Sequence, residues 1–433
     1  MQKLSSKEQL FVGITLFSMF FGAGNLIFPP FLGYSAGTAV LPAFLGFALS
    51  AIGLPILGVI GATRSGGIKS LAGHVSPSFA SVFTMLIYLS IGPCLAIPRT
   101  ASTSFEMAVT PFIGKEAPSA LLSILYSVLF FGVALALALH PLKLVDLLGK
   151  RLAPILLVLI AVLFFGCVFF GNISANTPAA AYQSIPAAQG FLDGYQTMDA
   201  IAALIFGLML AANINARGVT ENHAVIHSTV IAGGIASVLF LCVYGALTFI
   251  GFSNGNASAQ NGAQLLSISA DRLFGKAGAI ILAAIFVIAC LNTCISLICC
   301  CAQYFSQLFP RFSYRTWASF FAIFSAVLAN AGLNMILKIS VPILNCLYPI
   351  AIVLIALAFF PKRLQEKPLL FPLSITLTGI VSVIYALYEI GVQIPVLTDL
   401  TSALPFYFAG LGWICPAAVG IIFALLIPNK KEG

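Results

Sequence analysis

Charge is what this chain lacks. Only 7% of its 433 residues are Asp, Glu, Lys or Arg, where a soluble domain carries about 25%. The net charge of +8 comes from basic residues scattered between apolar stretches, which is not the clustered patch that nucleic-acid binding needs. HExxH is absent, and so is any pair of membrane aspartates in a Gly-flanked motif. An intramembrane enzyme is left as a remote alternative, because no nucleophile–base or two-carboxylate constellation is present. No ring-forming filter motif marks a channel. The 10 cysteines include no CxxC pair. Cys290, Cys294, Cys299, Cys300 and Cys301 crowd one apolar run with no histidine near them, so they read as small packing residues rather than a disulfide or metal framework.

Apolar sequence fills the space that charge leaves. Hydrophobic residues make up 60% of the chain and the mean hydropathy is +1.08, which predicts an all-α polytopic membrane protein. Twelve apolar runs centre near Gly22, Ala51, Gly92, Leu129, Leu159, Leu204, Leu239, Leu291, Ile323, Pro349, Val381 and Val419. The first is read as a retained helix, since no small-residue cleavage site follows Lys3 and Lys7. With the N-terminus placed in the cytoplasm, fifteen Lys and Arg residues fall inside and three, Lys115, Arg272 and Lys276, fall outside. That is the positive-inside bias, and it predicts both termini cytoplasmic. Two outer connections are long. Residues 171–190 carry Asn172, Asn176 and Pro178, and residues 251–276 turn amphipathic from Gln264 to Phe274, as a short helix over the outer mouth would.

The first apolar run is interrupted by Gly22-Ala23-Gly24-Asn25, with Pro29-Pro30 after it. A broken backbone at membrane depth is tolerated only where protein or a water-filled cavity satisfies its polar groups. The sixth run opens with Asp193-Gly194-Tyr195-Gln196-Thr197-Met198-Asp199, a second interruption at the matching place five helices later. Paired interruptions predict an inverted repeat with a binding site at the midplane, the plan of a secondary transporter. Unwinding would offer amides to a carboxylate and carbonyls to a cation; the same glycines would also serve close helix packing. Asp199 suits an ammonium counter-ion, a cation ligand or a proton carrier, or else a structural pair. Arg99 and Glu106, two turns apart on the third helix, read as an ion pair or a gate. Asn292 and Thr293 are adjacent oxygen donors of the kind a hard cation takes. His223 and His227 read as a solvated helix start, and Asp193 as a wet residue near the outer end.

These residues resemble the bacterial branched-chain amino acid:cation symporters, the BrnQ-type carriers. The matching stretches are 20–30, from Phe20-Phe21-Gly22-Ala23-Gly24-Asn25 to Pro29-Pro30, then Ile91-Gly92-Pro93, Ile97-Pro98-Arg99-Thr100-Ala101, Ser104-Phe105-Glu106, 194–199 and Arg217-Gly218-Val219-Thr220. One departure is Asn292, where the resemblance implies a small residue or hydroxyl. The resemblance implies the leucine-transporter (LeuT) fold: about 12 helices, five plus five inverted, in halves of roughly 8–171 and 186–361, with two appended helices at roughly 368–428. It implies a substrate site at Ala23, Gly24, Asn25, Tyr195, Thr197, Met198 and Asp199. Na⁺ sites would be built from Phe20 and Asn25, and from Ser18, Phe21, Ala289, Asn292 and Thr293. It also implies Na⁺-coupled uptake of leucine, isoleucine and valine in the bacterial cytoplasmic membrane, without a cofactor. An H⁺-coupled carrier of the same fold for another small amino acid is the nearer alternative.

The orientation is open to test. Single cysteines placed at 171–190 or 253–260, in a cysteine-free background, are expected to react with an impermeant thiol reagent from outside. Labelling only from the cytoplasmic face would reverse the assignment.

Overall fold

The computed structural model describes residues 4–113, 119–139, 153–171, 173–392 and 395–427. Lys3, Lys115, Lys143, Lys150, Arg151, Asn172, Lys430 and Lys431 lie outside the described residues. Among the described residues the regular secondary structure is all helical, apart from one isolated bridge between Ser174 and Asn254.

The first apolar run is two helices, α1 (Ser6–Phe20) and α2 (Ala23–Ala36). Gly37, at a left-handed φ of 48°, turns the chain into α3 (Val40–Ala48). After a π turn this continues as α4 (Leu54–Ser65). The third run is α5 (Pro77–Leu89) and α6 (Ala96–Ala108), joined by a second π turn with Gly92 out of helical geometry. Next come α7 (Ser119–Ala138) and α8 (Ala153–Phe170). The sixth run is α9 (Pro186–Tyr195) and α10 (Asp199–Asn215), bent by 48°. Then follow α11 (Asn222–Ser253), α12 (Gly262–Phe274), α13 (Lys276–Leu308), α14 (Tyr314–Ala329), α15 (Leu333–Ala358), α16 (Leu370–Glu389) and α17 (Ile414–Leu426).

All twelve expected centres fall on these helices or their breaks. By length and apolar content alone, seven described helices are able to cross a membrane, or eight with the bent pair. The difference from twelve has a physical cause. The breaks divide some runs into short pieces, α8 and α17 are brief, and residues 23–65 count as one continuous span. The expected amphipathic outer segment is α12.

The helices pack in two layers. In one, α1 and α2 lie against α11, while α9 and α10 lie against α3 and α4. The first run thus pairs with the seventh and the sixth with the second, an exchange that two symmetry-related halves produce. In the other layer α13 packs on α6 and α7, and α14 packs on α7 and α6. Two interfaces of the first layer are glycine seams. A Cβ on Gly33 would lie 2.0 Å from the Thr248 carbonyl oxygen, and one on Gly251 would lie 1.8 Å from that of Pro30. Between α3 and α9, a Cβ on Gly46 would be 1.9 Å from the Ala187 oxygen, and one on Gly190 would be 2.0 Å from that of Ala43. In lipid, where helix association has no hydrophobic drive, such close approach of backbones is a main source of packing energy.

Gly251→Val is therefore expected to force α2 and α11 apart. Overpacking of this kind costs about 1–3 kcal/mol, read as a lower melting midpoint of the purified protein. Gly132→Val, at an exposed site with nothing within 4 Å of its Cβ, is the matched control. Equal melting of both variants would refute the seam.

Candidate functional site

The two helix breaks meet in the middle of the protein. The first is narrower than the sequence suggests. Only Phe21 and Gly22 leave the helix, and Gly24 and Asn25 already belong to the first turn of α2. The reason is a cap made from inside the turn: Asn25 Oδ1 accepts the Gly22 N–H at 3.0 Å. The amides of Ala23 and Gly24 stay at the open start of the helix, where no intrahelical carbonyl reaches them. Glycine is required here by contact. A Cβ on Gly22 would lie 2.5 Å from Thr293 Oγ1, and one on Gly24 would lie 2.8 Å from Arg99 Nη2.

The second break is Gln196-Thr197-Met198. Met198 adopts a left-handed φ of 68°, a conformation a non-glycine residue holds only when its surroundings over-determine it. Asp199 then begins α10, where its carboxylate faces the positive end of the helix dipole. Its backbone N–H bonds Thr197 Oγ1 at 3.4 Å. One side chain joins the two breaks: Asn25 Nδ2 donates to Asp199 Oδ2 at 2.5 Å and to the Tyr244 oxygen at 2.5 Å. The Tyr244 hydroxyl donates in turn to Asp199 Oδ2 at 3.3 Å.

Between the breaks lies a small cavity, with about 30 Å³ for the centres of water-sized spheres. That is enough for one or two waters, and every lining residue but Thr293 is buried, so the site is closed to solvent. Ala23, Gly24, Asn25, Thr197, Met198 and Asp199 line it together with Phe20, Arg99 and Thr293. Met19, Ile91, Ala202, Phe206 and Leu297 supply an apolar wall. Tyr195 is not on the lining; its ring stacks on Tyr348 at 4.4 Å.

Residues of α1 and α13 form a second polar cluster, which meets the cavity at Thr293. Asn292 Nδ2 donates to Ser18 Oγ at 3.2 Å, and the Thr293 hydroxyl donates to the Phe21 carbonyl at 3.1 Å. Ser18, Ala289 and Asn292 are buried, and Asn292 Oδ1 has no hydrogen-bond partner. A buried acceptor without a donor is a costly arrangement that a cation would relieve.

The Arg99–Glu106 pair does not form. Arg99 is 3% exposed and turns inward, where Nη1 donates to the Gln196 carbonyl at 2.8 Å and Nη2 to that of Thr197 at 3.5 Å. Glu106 Oε2 is buried without a hydrogen-bond partner. Seven residues put two side chains on one face but about 10 Å apart along the axis, and Arg99 finds nearer acceptors across the break. Asp193, read as a wet residue, is also held by side chains. It is half-buried and accepts bonds from Tyr182 and Gln189. His223 and His227 are exposed near the start of α11, as expected. Sequence reasoning missed Tyr244, whose signal was its being the single tyrosine of α11, in the middle of an apolar run.

A second, larger space lies beneath the first, with about 540 Å³ for water-sized spheres. Lys69, Tyr88, Ile205, Met209, Cys300 and Tyr304 are among its walls. Tyr88 and Tyr304 stack at 3.9 Å. The two spaces share helices: Ile91, Phe206 and Leu297 line the first, within one turn of Tyr88, Ile205 and Cys300 in the second. At the opposite end backbone bonds stitch residues 174–179 to the ends of α2 and α11. Thr38 N donates to Asn176 O, Ala179 N to Ser35 O, Ser174 N to Ser253 O and Gly255 N to Ser174 O.

Comparison with known proteins agrees with this architecture. The chain matches the family model described as branched-chain amino acid transport protein over residues 5–431. It is 39% identical to the branched-chain amino acid permease BraB of Bacillus subtilis, covering 99% of this chain and 98% of that one. It is 40% identical to the branched-chain amino acid transport system 2 carrier protein of Pseudomonas aeruginosa, covering 98% and 97%. Among solved structures it resembles MhsT in complex with L-phenylalanine, with a TM-score of 0.56, 15% identity and coverage of 98% and 99%. It also resembles Mhp1, a nucleobase-cation-symport-1 family transporter, with a TM-score of 0.61, 10% identity and coverage of 96% and 91%. The fold is thus that of the leucine-transporter-like carriers, and the molecule is a multi-pass membrane transporter rather than an enzyme. The chain belongs to the branched-chain amino acid transport protein family.

Proposed function

We propose that the chain carries leucine, isoleucine and valine into a bacterial cell together with Na⁺, by alternating access, with both termini cytoplasmic. The observation that carries this reading is the closed cavity where two helix breaks meet. It has a carboxylate, Asp199, on one wall, open helix amides at Ala23 and Gly24 on another, and aliphatic and aromatic side chains on the rest. The amides suit a substrate carboxylate, and Asp199 suits its ammonium. The apolar wall suits a branched aliphatic side chain, with discrimination of about 1–3 kcal/mol per methylene. The names of the relatives support the substrate class.

For Na⁺, the best-supported position is between α1 and α13, at Asn292 Oδ1 with Ser18, Thr293 and the carbonyls of Phe21 and Ala289. The other expected position, at Phe20 and Asn25, has weaker support, because Asn25 Oδ1 is held by the Gly22 N–H. The halves are taken as roughly 8–171 and 186–361, with appended helices at roughly 368–428. On the positive-inside orientation, the stitched end is extracellular and the larger space opens toward the cytoplasm. The closed site then sits above an exit vestibule.

Counterflow of labelled leucine in proteoliposomes, with Na⁺, Li⁺, K⁺ or a pH gradient alone, tests the coupling. Na⁺ is expected to support it, and Thr293→Ala to raise the Na⁺ concentration for half-maximal uptake. Uptake that ignores Na⁺ and follows pH would establish the H⁺-coupled alternative. Asp199→Asn is expected to weaken leucine binding by about 1.5–3 kcal/mol, the scale of a hydrogen bond to a charged group. Near-normal binding and uptake in that variant would remove Asp199 from the site.

A further inference from the structure

Arg99 is a buried cation that no carboxylate touches. Its guanidinium lies on the midplane cavity, 3% exposed, and its two hydrogen bonds go to neutral carbonyls at the second break. Nε is buried and has no partner. The Phe28 ring lies 5.7 Å away. A charge in such surroundings is held at high cost unless an opposite charge compensates it. Glu106, on its own helix, does not make that contact.

The opposite charge on the same cavity is Asp199. No hydrogen bond or ion pair joins the two. Asp199 is held by Asn25 and Tyr244, and Arg99 by the Gln196 and Thr197 carbonyls. Their own partners keep the two charges on separate walls of one closed space. That is the electrostatic outline of a zwitterion: each wall is left short of one charge, and an amino acid carries both. Gly24 places the start of α2 beside the guanidinium, so close that a Cβ there would lie 2.8 Å from Nη2. The helix amides and the arginine therefore form one anion subsite, with the unused donors of a planar fork suited to a carboxylate.

We propose that Arg99 is a substrate-binding residue that receives the α-carboxylate of the transported amino acid while Asp199 receives the ammonium. The proposal rests on the amino acid transport reading above and adds a fixed charge to a site otherwise built from backbone amides. It makes the free carboxylate a condition of recognition, so that amides and alcohols of the same side chain are rejected.

The experiment compares leucine with leucinamide, which keeps the ammonium and the side chain but not the carboxylate. Equilibrium binding to the purified full-length protein in NaCl is measured for the parent and for Arg99→Gln. The parent is expected to favour leucine by about tenfold or more. In Arg99→Gln, leucine affinity is expected to fall about tenfold while leucinamide affinity stays within about twofold, so the preference collapses. An equal loss for both ligands would show that Arg99 acts only by holding Gln196 and Thr197, and would overturn the proposal. If Arg99→Gln does not reach the membrane, the ratio is read in Arg99→Lys, where a point charge replaces the fork. It is expected to drop about threefold or more, and an unchanged ratio overturns the proposal. A parent protein that binds no branched-chain amino acid would take down the transport reading itself, an outcome distinct from bound leucine with an intact preference in Arg99→Gln.

Discussion

The site depends on the side chain of Asn25. Its oxygen closes the first helix break onto Gly22, and its nitrogen reaches Asp199 and Tyr244 across the layer. One amide therefore satisfies a backbone donor that lipid could not, and also fixes where a buried carboxylate sits. A buried polar network holds a unique geometry only when its members are satisfied together. Without Asn25, Gly22 would lose its acceptor and Asp199 its strongest donor at once. The two broken helices, 174 residues apart in sequence, would then share no hydrogen bond at that point.

Much of the architecture was legible in the sequence, because lipid imposes strict rules on it. Scarce charge, long apolar runs and paired Gly/polar interruptions each follow from what a bilayer tolerates and where it tolerates it. The first break was located to within two residues, and α12 was read from its amphipathic pattern. What the sequence did not show was where side chains reach across the layers. Arg99 and Glu106 share a helical face, and that periodicity suggested a pair. The pairing failed because partners on other helices compete for a long side chain, and one-dimensional spacing carries no information about them. Tyr195 failed for a similar reason. It stands beside the break in sequence, but its ring is turned toward Tyr348 in α15. Tyr244 stands out as the single tyrosine of its apolar run, but the sequence does not tie it to a carboxylate 45 residues away.

The polar groups at the site fall into two sets with different environments. Asp199, Asn25, Tyr244 and Arg99 belong to a midplane network bordering the cavity. Ser18, Asn292 and Thr293 form a second set between α1 and α13, joined to the first by the Phe21–Gly22 segment and by Thr293, which also lines the cavity. That segment is the one extended stretch in the first apolar run. It is therefore one route by which a change of charge at the second set would be felt at the first, since Thr293 holds the Phe21 carbonyl and Asn25 holds the next amide.

The glycine seams differ in kind from the contacts between the layers. Within the first layer, Gly33, Gly251, Gly46 and Gly190 meet carbonyl oxygens of the facing helix; between layers, Gly22 meets the Thr293 side chain and Gly24 the tip of Arg99. Peptide planes in direct contact do not slide past one another without separating, whereas side-chain tips swing by changing rotamer. The seams act as meshed teeth, and the boundary between the layers acts as a bearing. The boundary where α1, α2 and α10 face α6 and α13 accordingly offers less resistance to a shift than the seams do. The site lies on that boundary, so a shift between the layers would reshape the cavity itself.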